Sequence, residues 1–542
     1  MRNASWIRTL IAVLLVGMFA LSACGPQDTP DDPDAPDAPD TPDVPDVPQK
    51  IGIAIQDEPA SLDPTRTIQL TAAQVNSYIL ESLVYIGEDG APRPLLAESW
   101  EIEEDGKVII FKMREGLKFS DGTPMDAAAV AWTYNRHLSE ENPSVNREQL
   151  GPLKEVVEID DLHVKMVFSE PFAPIWVNLA MTWQGILSPT AGEEAGDDFG
   201  RNPVSAGPFM IDRYIPATGF VLVPNPHYQN FRAQVENPGP PTIEEVRINI
   251  IPEQGTRVAA LETGDIHFGD APLEELGRFE ADPDFSLTTM ERNNNMSIIE
   301  VNPFKPPMDN LLVRKAIAYA VDIEQIAEAA YAQAVTPNWN PLPNALLGWD
   351  PAIGEEYGYH HNPERAKELL AEAGYTQTGD GQWVDDNGDP LTIIIYSYTL
   401  HNGIQGGQVI QENLRSIGIN AELELFEVAT CIAKLHEREH HLNFMHWSWW
   451  DPVILSLIFK TPGWQGVFAD PELDEILIAA ETELDPDRRE ELVHEAQIWL
   501  LENVGVIPIC TNWSVFLHRA ELEGIQLSPL GRVLLNDVVL TR

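Results

Sequence analysis

Near the N-terminus the chain carries an almost unbroken apolar run, Leu10 to Leu21, behind a short start that holds Arg2 and Arg8 and ahead of Ser22, Ala23 and Cys24. A helix that crosses a bilayer needs roughly 20 apolar residues, and this run stops short. A charged start, a short apolar core and small residues at its end predict a secretory signal over residues 1–23. Beyond residue 50, short strand-like runs alternate with helical ones. Lys50–Gln56 reads as a first strand, and Val108–Met113 as a second after the turn-forming Glu101–Gly106. Asp126–Leu138 reads as a helix, Glu244–Ile251 as a strand, and Gln254–Glu262 as a helix stopped by Gly264. Val313–Ala330 and Pro363–Ala373 have helical spacing, the second with proline in its first turn and Gly374 at its end. Leu391–Tyr398 reads as a buried strand. Leu442–Met445 is strand-like, and an apolar helical run reaches Phe459. No short repeat organises these elements, so the pattern predicts mixed α/β domains.

Composition adds a linker and removes some partners. From Pro26 to Pro48, Asp and Pro alternate with Ala, Thr and Val, with no aromatic residue from which to build a core. Together with Cys24 this makes an acidic, Pro-rich linker over 24–49; at about 3.1 Å per residue it spans tens of ångströms, and a spacer of unselected length would look the same. The body has nearly 500 residues, more than one compact core holds, so two or three domains are expected. The chain has 85 acidic and 34 basic residues, a formal charge of -51. That balance argues against nucleic acid and against direct binding to anionic lipid, and it suits solubility at high salt. Besides Cys24 only Cys431 and Cys510 remain; an oxidising location permits them to pair.

Several segments carry resemblances. Leu21-Ser22-Ala23-Cys24-Gly25 resembles the lipobox of bacterial lipoproteins, which implies cleavage before Cys24 and a diacylglyceryl group on its thiol. Glu58-Pro59-Ala60-Ser61-Leu62-Asp63-Pro64, Leu96–Trp100, Leu117-Lys118-Phe119-Ser120-Asp121-Gly122-Thr123-Pro124 and Pro203–Phe209 follow one another in the chain. After them come Asn225-Pro226-His227-Tyr228, Val313–Asp322, Asn362–Leu370 and Ile417-Gly418-Ile419. In kind and order these resemble the family 5 extracellular solute-binding proteins of peptide- and nickel-type ABC importers, from about residue 50 to 540.

The resemblance implies an α/β, two-lobed fold of periplasmic-binding-protein type with an extra domain inserted in the first lobe. It places lobe I at 50–80, 205–297 and 515–542, the inserted domain at 81–204 and lobe II at 298–514, with hinges near Ser297–Asn302 and Thr511–Ser514. It implies a binding protein and not an enzyme: an exported monomer without cofactor or metal, lipid-anchored and periplasmic or outward-facing, that closes on a small ligand and passes it to a permease whose ATPase is a separate chain. Read physically, most of these motifs are scaffold: Asp-Gly-Thr-Pro is turn chemistry and Glu364–Leu370 is the start of an amphipathic helix.

For the ligand, the most informative stretch is His446-Trp447-Ser448-Trp449-Trp450-Asp451-Pro452. Three indoles beside a carboxylate at a strand end suit a pocket, with flat apolar area, ring donors and an acceptor for an amine or hydroxyl. Core packing of the rings, with Asp451 capping the next helix, would also explain it. Trp447, Ser448, Trp449, Trp450 and Asp451 are the candidate ligand residues, with Gln69 and Trp183 as further ones. In the peptide-binding relatives an aspartate a few residues after the first tryptophan pairs with the ligand's amino terminus; here Trp450 stands near that position. The arginine that dipeptide-binding relatives offer to the ligand carboxylate has no counterpart in His401–Gly407. A longer peptide held by its backbone is therefore expected, with an oligosaccharide stacked on indole faces as the neutral alternative.

One rival chemistry is visible. His436-Glu437-Arg438-Glu439-His440 fits the zinc-peptidase pattern of two histidines one helical turn apart with a glutamate between them. The segment ends its helix and no third ligand stands at convincing spacing. Asp385-Asp386-Asn387-Gly388-Asp389 looks calcium-like but lacks EF-hand spacing and reads as a hairpin turn. There is no phosphate-binding Gly-rich loop ending in Lys and Ser or Thr.

Overall fold

The computed structural model describes residues 47–272, 275–332, 334–461 and 469–542. The expected signal segment, Cys24 and nearly all of the linker lie outside the described residues. Within them, three sheets organise the chain. A seven-stranded sheet runs in the order Phe285–Met290, Ser514–Arg519, Phe268–Asp270, Lys50–Ile55, Glu245–Ile250, Gly219–Pro224 and Phe209–Ile215. Lys50–Ile55 pairs in parallel with Glu245–Ile250 and Phe268–Asp270; the remaining pairs are antiparallel. Between its strands Lys50–Ile55 and Phe209–Ile215 the chain builds a four-stranded antiparallel sheet in the order Ala97–Glu103, Val108–Met113, His163–Phe168 and Leu153–Asp160.

A six-stranded sheet follows, in the order Val335–Pro337, Val506–Asn512, Asn295–Val301, Leu442–Ser448, Thr392–Tyr398 and Asn420–Phe426. The polypeptide passes from the seven- to the six-stranded sheet between Met290 and Asn295 and returns between Asn512 and Ser514. The first crossing thus precedes Ser297–Asn302, which lies largely inside a strand; the second falls within Thr511–Ser514.

Strand burial explains the apolar patterns. Ile51, Ile53 and Ile55 are buried in one apolar cluster with Ala72, Val75 and Ile79 of the helix Leu70–Ile79, and Ile393 and Ile395 are buried in the core of the six-stranded sheet. The helix expected over Asp126–Leu138 spans Ala127–His137, with the Asp126 carboxylate accepting from the Ala129 N–H at 3.0 Å. Asn362 caps Pro363–Glu372 in the same way, and Gly264 ends Gln254–Thr263 at φ 80°, a left-handed conformation that suits glycine. One helix differs. Val313–Ala330 is two helices, Leu311–Ala320 and Ile323–Tyr331, because Asp322 turns out of the first and caps the second through the Gln325 N–H at 3.1 Å. An apolar period that continues across the break hides it from pattern reading.

Cys431 and Cys510 are both buried, free thiols, so the pairing that an oxidising location permits is not made. Among the described residues no helix is long and apolar enough to cross a membrane.

Candidate functional site

A cavity of about 880 Å³ opens where the three sheet-bearing parts meet. The four-stranded part contributes Ile86–Pro92, Trp100 and Trp176; the seven-stranded part contributes Thr289–Met290 and Gln526–Leu530. The six-stranded part contributes Ala345–Leu347, Trp450–Pro452, Leu484 and Arg489, and the first crossing adds Glu291 and Arg292. Size and largely apolar walls with a few convergent polar groups are those of a small-molecule site.

Trp450 is the one candidate indole in this wall. It lies over Gly531, where an added Cβ would come within 3.3 Å of its Cη2, so it reaches from the six-stranded part onto the C-terminal return of the chain. Trp447 turns inward: its Nε1 donates to Glu300 Oε1 at 2.8 Å, and its ring packs on two apolar clusters. Trp449 packs on the cluster around Ile454–Phe459. Ser448 Oγ accepts from Asn294 Nδ2 at 2.9 Å. Strand alternation at the end of Leu442–Ser448 and the turn after it send the rings to different places.

Asp451 borders the cavity, yet its carboxylate faces the protein. Oδ1 accepts from Arg489 Nη2 at 2.6 Å and from the Val453 N–H at 2.9 Å, and Oδ2 accepts from Arg489 Nη1 at 2.9 Å. With side-chain exposures of 1% and 9%, this is a buried bidentate pair that holds the start of the apolar helix. Both oxygens are occupied, which leaves Asp451 structural in place of an amine acceptor. Gln69 and Trp183 stand away from the cavity. Gln69 Oε1 accepts from the Ala60 N–H at 2.7 Å, and Trp183 is buried in the turn Thr182–Gln184.

The cavity floor is a polar clamp around the first crossing. Arg292 Nε donates to the Asn344 carbonyl at 3.1 Å, the Asn293 N–H to Asn344 Oδ1 at 2.9 Å, and Asn344 Nδ2 to the Glu291 carbonyl at 3.3 Å. Asn293 Nδ2 reaches Ser514 Oγ at 2.7 Å and so ties the two crossings together. On the far side, Leu484 fills the notch at Gly106, where a side-chain Cβ would collide with its Cδ1, and the Ala173 N–H donates to the Glu481 carbonyl at 2.9 Å.

Beneath Trp447, Glu300 is buried and accepts from Asn443 Nδ2 at 2.7 Å as well as from the indole. Burial pushes its carboxyl up to about 7, against the two hydrogen bonds that pull it down. A carboxyl whose folded value is raised holds its proton longer in the native chain. Its stabilising effect is therefore complete below about pH 4.5, its ordinary value, and is lost as pH rises through about 7. Glu300→Gln is expected to flatten that part of the stability profile, by about 3 kcal/mol between pH 4.5 and 8. Urea midpoints for both proteins across this range check it; parallel profiles would refute it.

The zinc-peptidase pattern does not form a site. The helix Val428–Leu435 ends before His436, Arg438 has φ 56°, His436 is exposed and His440 is buried against Tyr396 with ring centroids 5.2 Å apart. The geometry that would put both imidazoles on one helical face is absent, and among the described residues no cluster of three or more His, Cys, Asp or Glu could hold a metal. Asp385–Asp389 is a turn: the Asp385 N–H donates to the Asp389 carbonyl at 2.9 Å, with Gly388 at φ 85°.

Pattern reading missed Trp100, Trp176, Arg292 and Leu484. Trp100 ends the Leu96–Trp100 motif and reads as scaffold, and the polar run Glu291–Asn295 between two strands is the available signal for a crossing.

Comparison with known proteins places this geometry. The model of the bacterial extracellular solute-binding proteins, family 5, matches residues 91–465. The glutathione-binding protein GsiB of Escherichia coli O1:K1 / APEC is 25% identical over 504 residues, covering 89% of this chain and 92% of that protein. The structure of HbpA2 from Haemophilus parasuis superposes with a TM-score of 0.79 at 25% identity, over 91% of this chain and 99% of that one. A dipeptide-binding protein from Pseudoalteromonas sp. SM9913, in complex with Met-Leu, has a TM-score of 0.70 at 22% identity, over 90% and 99%.

Proposed function

The chain belongs to the bacterial extracellular solute-binding proteins of family 5, non-enzymatic components of ABC import, and on that premise we propose that it captures an oligopeptide by closure of two lobes. The peptide is then delivered to a permease driven by a separate ATPase. The observation that carries this reading is the cavity of about 880 Å³ between the parts, with Trp450 reaching across it onto Gly531. A ligand that touches both sides stabilises the closed population by its differential affinity. The glutathione-binding relative supports a peptide-like solute. Trp100, Trp176 and Trp450, all in the cavity wall, favour an oligosaccharide as the second reading.

We read lobe I as 50–80, 205–297 and 515–542, the inserted domain as 81–204 and lobe II as 298–514. The membership of the three sheets supports these borders, with Asn295–Val301 straddling one of them and Ser514–Arg519 another. We read the protein as a monomer tethered through acylated Cys24. Labelled palmitate should enter the wild-type chain and not Cys24→Ser; equal labelling would refute the tether.

The test of the function is tryptophan fluorescence of the purified chain titrated with glutathione, with di- to hexapeptides and with oligosaccharides. Saturable binding of a peptide below about 10 μM, without cleavage, is the expected result. Saturation by an oligosaccharide alone would replace it with the second reading.

A further inference from the structure

Two guanidinium groups reach the cavity, and they differ in what they already hold. Arg489 is spent on Asp451 through both Nη atoms and on the Ala480 carbonyl through Nε at 3.0 Å. Arg292 is exposed, and the acceptors it reaches among the described residues are backbone carbonyls in place of carboxylates. Its Nε is fixed on the Asn344 carbonyl and its Nη1 makes a long contact of 3.5 Å to the Glu88 carbonyl, both neutral acceptors. Those contacts orient the planar group, and among the described residues they leave its Nη2 without a protein acceptor.

We propose that Arg292 receives the carboxylate of the bound solute, which makes the ligand a zwitterion with a free carboxylate: a peptide with an unblocked C-terminus. This rests on the peptide reading above. A guanidinium fixed at one edge presents a fork that matches a carboxylate in shape as well as charge. The remaining charges of the wall argue for a zwitterion over a simple anion, because Glu88, Asp89, Glu291 and Glu483 line the same cavity and would repel an anion that lacked an ammonium group. The arginine that the sequence lacks at His401–Gly407 is thereby replaced from a different part of the chain. Arg292 stands on the crossing between the two sheets and is tied to Asn344, so a carboxylate held there is bound at the point where the two parts are joined.

The test uses Met-Leu and tetra-alanine, each as the free acid and as the C-terminal amide, titrated into wild type, Arg292→Gln and Arg292→Lys. Wild type should bind at least one free acid tenfold or more tightly than its amide. Arg292→Gln should lower the acid to the affinity of the amide, and Arg292→Lys should recover part of the difference. Equal affinity of wild type for acid and amide, or an acid preference that survives in Arg292→Gln, overturns the proposal. If Arg292→Gln does not fold, the acid and amide comparison on wild type and Arg292→Lys decides. Failure of every peptide to bind in either form overturns the peptide reading itself, whatever Arg292 does.

Discussion

Arg489→Ala is expected to destabilise the chain by about 3–5 kcal/mol, because it leaves the Asp451 carboxylate buried without its partner. The size follows from geometry. A solvent-exposed ion pair contributes about 0–1 kcal/mol, whereas here both oxygens of a carboxylate that is 1% exposed depend on one guanidinium. The same substitution strands the Ala480 carbonyl, which accepts from Arg489 Nε, and loosens the turn that presents Trp450. Urea denaturation measures the loss as a fall in midpoint at unchanged slope. The double change Asp451→Leu with Arg489→Met should recover much of it, since apolar groups of similar volume leave no unpaired charge. A loss under about 1 kcal/mol in the single variant would mean that water reaches the pair. Were Asp451 instead the receptor for a ligand amine, Asp451→Asn would abolish binding at full stability; the expected result is a marked loss of stability.

Trp450→Ala is expected to weaken binding of the true solute about 30-fold or more, the effect of losing an interface tryptophan worth about 2 kcal/mol. The ring is half-buried and bridges the cavity wall to Gly531, so its removal lowers the contact area of the closed form and opens the seam beside the ligand. Fold stability should change little, because the core clusters hold Trp447 and Trp449 and not Trp450. Trp447→Ala provides the contrast: it should destabilise the fold, since it strips Glu300 of a hydrogen-bond partner. Calorimetric titration alongside urea denaturation separates the two. Unchanged affinity in Trp450→Ala would exclude this cavity as the ligand site.

Much of the scaffold was legible because local chemistry and global fold agree. Val108–Met113 alternates as a strand should, and Asp126, Asn362 and Gly264 mark helix ends by the groups they cap. The helix break at Asp322 was not legible, because its apolar residues keep the helical period on both sides. The site was legible only as a segment. His446–Pro452 does border the cavity, but which of its rings faces it depends on where the strand ends, and Asp451 is occupied by an arginine 38 residues further along the chain. Arg292 lay hidden for the same reason: its place in the wall comes from the meeting of three separately encoded parts, which no local spacing records.

The junction of Leu484 with Gly106, together with the bond from the Ala173 N–H to the Glu481 carbonyl, completes a ring of three bodies around the cavity. The other two junctions of the ring carry continuous chain crossings in addition to contacts such as Trp450 over Gly531 and Arg136 on Asp63. At Leu484 and Gly106 two parts meet without a chain crossing between them, so this junction can open without stretching the polypeptide. Loosening it is therefore expected to speed both the entry and the escape of a bound solute.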